Sequence, residues 1–514
     1  GTVTQSGGTI SVKHYVGDFD GAKKKFLMSS GTLNLTAGTL RLNGQNADGG
    51  NAATYPAIDI ASGVTVNANA NHVILVQSNN SSSNDEDMYL DFNGNTIGDL
   101  TINLDGHTVF HQTDVNLLGD LTLTAGTLDL VSTSVDVAGN WDDSGNNGGF
   151  TPSAGTVTLS GSGTTVTAGT NNNFFNLTTT GGTKTAQTEL DINGDLTVSS
   201  GEFAMGTNNV DVATSKTVDC DGTISLSTGV FTANGPSDFT NGTLSISGTG
   251  TYDADNTFTA ASGNVTFLGA GFLKCNNTVS DLGALTNTAG TVLYDGASTQ
   301  AIVTDNYFNL TIDQSGTKQA SGTLNIDGDL TVSNSAVFDI NGQSADVAGD
   351  WNDAGGTFQA TGGTVTMSGS SKSITTGGSN YFSGLTINSG GTVTAQSELD
   401  IDGAFTLSGG TFDINGQNAD VAGNWSDASG TFQAGGGTVT LSGGNSDVTT
   451  GGSNYFSAFT INSTGTKTSQ SALDINGNFT LTAGTFAPGS NAVDVVGNWD
   501  DSGNNGGFTP SAGT

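Results

Sequence analysis

Arg41 is the only arginine in this chain. Lysine and arginine together number 11 against 47 aspartates and glutamates, for a net charge of -36. Phosphate contacts need clustered Lys and Arg, so nucleic acid is a poor partner class. An anionic membrane surface would repel the chain for the same reason. No apolar run approaches the ~18 residues of a membrane-spanning helix; Val73–Val76 (VILV) is among the longest. The opening GTVTQSGG carries no secretory leader and reads as a processed end or a slice of something longer. Cys220 and Cys275 are too few for a disulfide framework, which leaves one bridge or, more simply, two idle thiols. Charged residues make up only 11% and prolines number five, whereas glycines number 78. Low apolar content with high net charge is a signature of disorder, but the apolar residues here are too regularly placed for that.

The tryptophans set a period. Trp351, Trp425 and Trp499 recur at one fixed spacing, and the pairs Tyr307-Phe308, Tyr381-Phe382 and Tyr455-Phe456 recur at the same one. An earlier copy holds Trp141 and Phe174-Phe175. Within GTVTLSG (155–161), Val157 and Leu159 share one face while the Thr and Ser residues share the other. This is the period of two that marks a half-buried strand. Strand-like segments rich in Val, Thr, Leu and Phe alternate with Gly, Asn, Asp and Ser turns throughout.

A fixed period of this size argues for a solenoid. The expected fold is all-β: a right-handed parallel β-helix (β-solenoid) of roughly twenty coils, with about 25 residues per coil and a three-coil, 74-residue repeat. The right hand follows from the crossover rule. An array of antiparallel sandwiches fits the period less well. Residues 1–118 read as an irregular β-helical segment with a loop insertion at Gln77–Asp91. Residues 119–514 read as the repetitive β-helix, degenerate at about 200–290 and continuous with the first segment.

The order VAGNW…GTF…GTVTLSG…NYFS…LTIN…GTKT…LDINGDLTV resembles the β-helical repeats of very large secreted bacterial surface proteins, the adhesin-like and filamentous-haemagglutinin-like β-solenoids. The likeness covers 119–514 clearly and the start weakly. It implies an extracellular or cell-surface location and a role in adhesion, spacing or fibre formation. It brings no catalytic residues.

The motif LDINGDLTV (190–198) recurs from Leu324, Leu399 and Leu473. Its alternating oxygen ligands Asp191, Asn193, Asp195, Asn325, Asp327, Asp329, Asp400 and Asp402 are candidates for Ca²⁺. The glycine and glutamate of a helix-loop-helix calcium site are not on schedule. The competing reading is a corner in which Asx-Gly supplies a positive φ between two strands. The tryptophans share parity with inward valines and read as core, as do the Tyr-Phe pairs with the second aromatic inside. His107 and His111 share strand parity, so a metal pair competes with a chance surface pair. Asp85, Glu86 and Asp87 read as solvated. Lys23, Lys24 and Lys25 form the only basic cluster, either a solvated turn or a dock for a neighbouring copy's negative surface. Asn34, Asn176, Asn264, Asn309 and Asn478 are glycosylation acceptors by sequence only.

Many β-helices process polysaccharides, but the aspartates here follow the repeat instead of gathering in one cleft. GxSxG, HExxH and GxxxxGK motifs are lacking. Residues 493–514 copy 135–156 with one change, Ala138 to Val496, so the chain stops mid-repeat. The expectation is therefore a structural, non-enzymatic solenoid of a surface fibre, filament or sheath. The alternatives are an adhesin stalk and, further off, a polysaccharide-processing enzyme. Further copies or neighbouring segments of a larger chain are the expected partners, with surface glycans second. No cofactor is required apart from the Ca²⁺ candidate.

Overall fold

The computed structural model describes residues 1–13, 26–44, 56–78, 87–146, 149–504 and 506–511. Among them the regular elements are β-strands without a helix, and the strands stack in parallel as a β-solenoid. The chain divides into two compact units, Gly1–Gly271 and Phe272–Thr514. Counted over both, there are about 21 turns. The expected parallel β-helix of roughly twenty coils is therefore what forms.

The coil itself is shorter than expected. In the second unit Leu324 pairs with Ala345, Ala345 with Val365, Val365 with Leu385, Leu385 with Phe405 and Phe405 with Trp425. The numbering advances by 21 at the first of these rungs and by 20 at each of the others. The 25-residue coil and the three-coil repeat are corrected accordingly: the interval from Trp351 to Trp425 spans more than three and a half coils. The reason lies in the strand count. One circuit holds three strands, such as Ala345–Val347, Trp351–Asn352 and Thr357–Gln359. The longer window 419–443 takes in a fourth strand, Thr438–Leu441.

The mismatch shifts each sequence copy to a different ladder of strands. Trp351 stands between Leu330 and Ile374, Trp425 between Phe405 and Val448, and Trp499 follows Phe479. These are three separate ladders of the second unit.

In the first unit the earliest rungs are long. Thr2 pairs with Thr32, Gly31 with Val64 and Gly38 with His72, so the numbering advances by 30, 33 and 34. Later rungs tighten to 20, as between Val115 and Val135. The presumed insertion is only partly described. Residues 79–86, including Asp85 and Glu86, lie outside the described residues, but Met88–Asp91 is a strand with Met88 and Leu90 in the core. The Lys23–Lys25 cluster also lies outside them.

Parity places the core as the alternation predicts. Val135, Val137, Val157 and Leu159 are buried, and the alternating Ser134, Asp136, Thr156 and Thr158 are not. Each buried aliphatic side chain contributes on the order of 1.5–3 kcal/mol. Stacking at ~4.8 Å makes that core continuous from rung to rung.

Candidate functional site

By sequence the fourfold LDING motif is either a corner or a calcium site. Gly194, Gly328, Gly403 and Gly477 are not at positive φ, so the expected reason for glycine is corrected. The need is for close approach instead. A Cβ on Gly194 would run into Phe175 O, on Gly328 into Phe308 O, on Gly403 into Ser383 O and on Gly477 into Ser457 O, all inside 3.0 Å. The glycine of the following VAGN or VVGN turn stacks next in line: Gly423 N–H donates to Gly403 O at 2.9 Å and Gly497 N–H to Gly477 O at 3.0 Å. The two motifs are thus partners in the stack. Leu399, Asp400 and Ile401 pair with Ala419, Asp420 and Val421.

The Asx residues beside these glycines join rungs. Asp195 N–H donates to Asn176 Oδ1 at 3.0 Å, and Asp195 Oδ1 accepts Thr217 N–H at 2.8 Å. Asp329 repeats this with Asn309 Oδ1 at 2.9 Å and Asp350 N–H at 2.8 Å. Asn325 Nδ2 donates to Asn306 Oδ1 at 3.2 Å and Asp327 Oδ1 at 3.5 Å. Asn193 and Asp402 are exposed at their corners. Asp191 and Asp400 are also exposed and stand in register with Asp211 and Asp420. Burial, then the charges of Glu189 and Asp211, raise the Asp191 carboxyl above its ordinary range. Burial, then Asp402, Asp420 and Glu398, do the same at Asp400. No group of three or more His, Cys, Asp or Glu is arranged to hold an ion among the described residues.

A second polar device was not foreseen. In three copies the aspartate that follows the tryptophan at W-x-D is buried: Asp143, Asp353 and Asp427. Trp351 Nε1 donates to Asp353 Oδ2 at 2.9 Å, and Trp425 Nε1 to Asp427 Oδ2 at 3.0 Å. The other carboxylate oxygen accepts a backbone N–H from the next coil: Gly169 at 2.6 Å, Gly377 at 2.8 Å and Gly451 at 2.7 Å. A buried asparagine completes the cluster. Asn454 Oδ1 accepts Phe432 N–H at 3.0 Å, and its Nδ2 donates to Asp427 O at 2.9 Å and Gly430 O at 3.0 Å. Asn380 does the same with Phe358, Asp353 and Gly356. Around them the rings pack edge to face: Trp425–Phe432 at 4.9 Å and 79°, Trp351–Phe358 at 4.8 Å and 76°. Burial raises all three carboxyls despite these donors. The sequence signal was available as W-x-D followed by the asparagine before the aromatic pair.

The GTKT motif hides a further charge. Lys184, Lys318 and Lys467 are fully buried. Lys318 Nζ donates to Gln314 O at 3.0 Å and Ser315 O at 3.1 Å. Lys184 Nζ meets the carbonyls of Thr180, Gly181 and Gly182. Lys467 Nζ reaches Ser446 Oγ at 2.8 Å and Ala422 O at 3.3 Å. Each ammonium therefore closes a corner with backbone oxygens. Burial lowers the pKa of all three, opposed by more distant aspartates.

The remaining candidates separate. His107 is partly exposed, 3.9 Å from Asp87 Oδ1, which also accepts Thr108 N–H. His111 is buried in the core, with Nδ1 3.3 Å from Thr133 Oγ1, and burial lowers its pKa to about 4. The two histidines therefore occupy different environments, and His111 is not a surface residue. The second aromatic of the pair is inside at Phe382 and Phe456, but the first is inside at Phe174 and Tyr307. Cys220 and Cys275 are buried and not joined by a disulfide, and burial pushes the Cys220 thiol up to about 12.

The fold and these clusters define the class: a parallel β-solenoid whose specialised polar residues bind coil to coil. Comparison with protein-family models, curated proteins and solved structures returns no match. The adhesin-like resemblance therefore has no support beyond the motifs that carry it, and the solenoid class rests on geometry.

Proposed function

We propose that this chain is a structural β-solenoid, part of an extracellular or cell-surface fibre, filament or sheath, with no catalytic role. One observation carries the reading. The most elaborate side-chain cluster, Trp–Asp–Asn with its aromatic lid, recurs one sequence period apart at Trp351 and Trp425 and there spends its donors and acceptors within the stack. Such a device strengthens a rod. The partners in this reading are further copies of the chain or neighbouring solenoid segments, and a cation such as Ca²⁺ offsets the charge of -36 where copies meet. Electron microscopy with and without a chelator tests it. Filaments or lateral bundles that loosen on chelation are expected; dispersed single particles under every condition overturn assembly.

A further inference from the structure

A polar groove of about 620 Å³ crosses the first unit, lined by the turns 168–172, 187–189 and 207–209. These turns belong to consecutive coils, because Asn173 pairs with Asp191 and Asp191 with Asp211. The turn from Thr167 to Asn173 is longer than the one from Ala186 to Leu190. The next turn, 207–209, is as short as 187–189, so the five-residue turn 168–172 forms a wall beside two short turns on the following coils.

The fold fixes the walls. Asn172 is buried and bonded, Asn208 Nδ2 donates to Ala186 O at 2.8 Å, and Asn209 Oδ1 accepts Val230 N–H at 3.0 Å. Between them stand the polar side chains of Asn171, Gln187, Glu189, Asp191 and Thr207. The lining excludes other ligand classes by its chemistry. Peptides that dock in grooves need apolar anchors or a free strand edge; among the lining residues Ala168 is the only apolar side chain, and the flanking strands are paired. Glu189 and Asp191, with Asp211 on the next rung, repel anions. Amide, hydroxyl and carboxylate groups on neighbouring rungs instead match the alternating donors and acceptors of sugar hydroxyls.

We propose that this groove binds a carbohydrate chain that is neutral or carries free amines. The site goes beyond the structural reading and does not depend on filament formation, since binding is measured on dispersed chain. The experiment is calorimetric titration of the full chain with cellohexaose, chitosan hexamer and hexagalacturonate. Saturable binding of one of the first two is expected, at least tenfold tighter than of hexagalacturonate. The Gln187→Ala/Glu189→Gln variant loses about tenfold in affinity, as removal of a charged hydrogen-bonding group predicts, with an unchanged melting curve. Hydrogen exchange on the wild-type chain with the bound sugar gains protection within 168–209. Failure of all three sugars to bind, equal binding of hexagalacturonate, or wild-type affinity in the variant overturns the proposal.

Discussion

The earliest rungs of the first unit and the rungs of the second build the same kind of coil with different interiors. Early circuits are long, from Thr2 to Thr32 and from Gly38 to His72, and the core is mostly aliphatic, with Leu33, Leu40, Ile58, Ile74 and Leu90, and with Phe92 against His111. Its buried polar side chains, among the described residues, include Gln5, Asn43, His72 and His111, with His72 Nε2 3.0 Å from Gln5 Oε1 and His111 beside Thr133. The second unit has the shorter circuit, from Ala345 to Val365 to Leu385. It fills its core with Trp–Phe clusters and buries Asp353, Asp427, Lys318 and Lys467. Close rungs bring a tryptophan and an aspartate of one coil together with an asparagine of the next, and that geometry holds only if the motif is copied faithfully. Aliphatic rungs need only matching volume, so their sequence can drift.

The largest expected effect is at the aromatic clusters. Trp425→Ala costs about 3–5 kcal/mol by cavity formation, read as faster hydrogen exchange around Phe432 and Phe456 with the early rungs unchanged, because repeats couple mainly to neighbours. A smaller loss than that of Leu33→Ala would break the contrast between the two interiors.

Acid should separate the regions next. The folded pKa of His111 is about 4 against an ordinary 6.5. The neutral ring's contribution is complete above pH 6.5 and lost as the pH falls toward 4, about 3 kcal/mol in all. His72 shifts in the same direction. Asp353 and Asp427 have raised pKa values, so their protonated forms favour folding. Their contribution is complete below the ordinary 3.8 and lost as the pH rises through the folded value. Protection factors, with the intrinsic pH dependence of exchange divided out, should therefore fall between pH 6.5 and 4 in the early rungs first; a uniform fall would deny the distinction. His111→Leu should remove most of this acid sensitivity.

Asp427→Ala leaves Gly451 N–H and Trp425 Nε1 without their acceptor, a loss of about 2 kcal/mol by chemical denaturation. Gly403→Ala forces Ser383 O aside for about 1–3 kcal/mol, whereas the same change at exposed, open Gly63 should be nearly silent. Asp329→Ala, removing one rung-to-rung acceptor at an exposed corner, should cost about 1 kcal/mol.

Much of the fold was legible because alternation is local: the parity of Val157 and Leu159 needs no knowledge of neighbours. The burial of Trp351 and Trp425 followed from the same rule. Coil length was not legible, because the strongest signal, the recurrence of tryptophan, is not a whole number of circuits. The role of Gly403 was misread since the sequence does not state what lies one rung away. The burial of Asp427 is not written in its local sequence, because it depends on Trp425 Nε1, Gly451 and Asn454 converging from separate turns. The groove at Gln187 depends on relative turn lengths, which emerge only when the coils are in register.

The mismatch between period and circuit has a consequence for how the second unit faces its surroundings. Like marks on a screw thread, successive copies of one residue point in new directions: Phe382 pairs into the ladder of Ile401 and Val421, while Phe456 pairs into that of Ile475 and Val495. The surface residues beside them, Tyr381 and Tyr455, rotate likewise. An epitope inserted at one repeat position would therefore be offered to several sides of the shaft, and the unit has no single front.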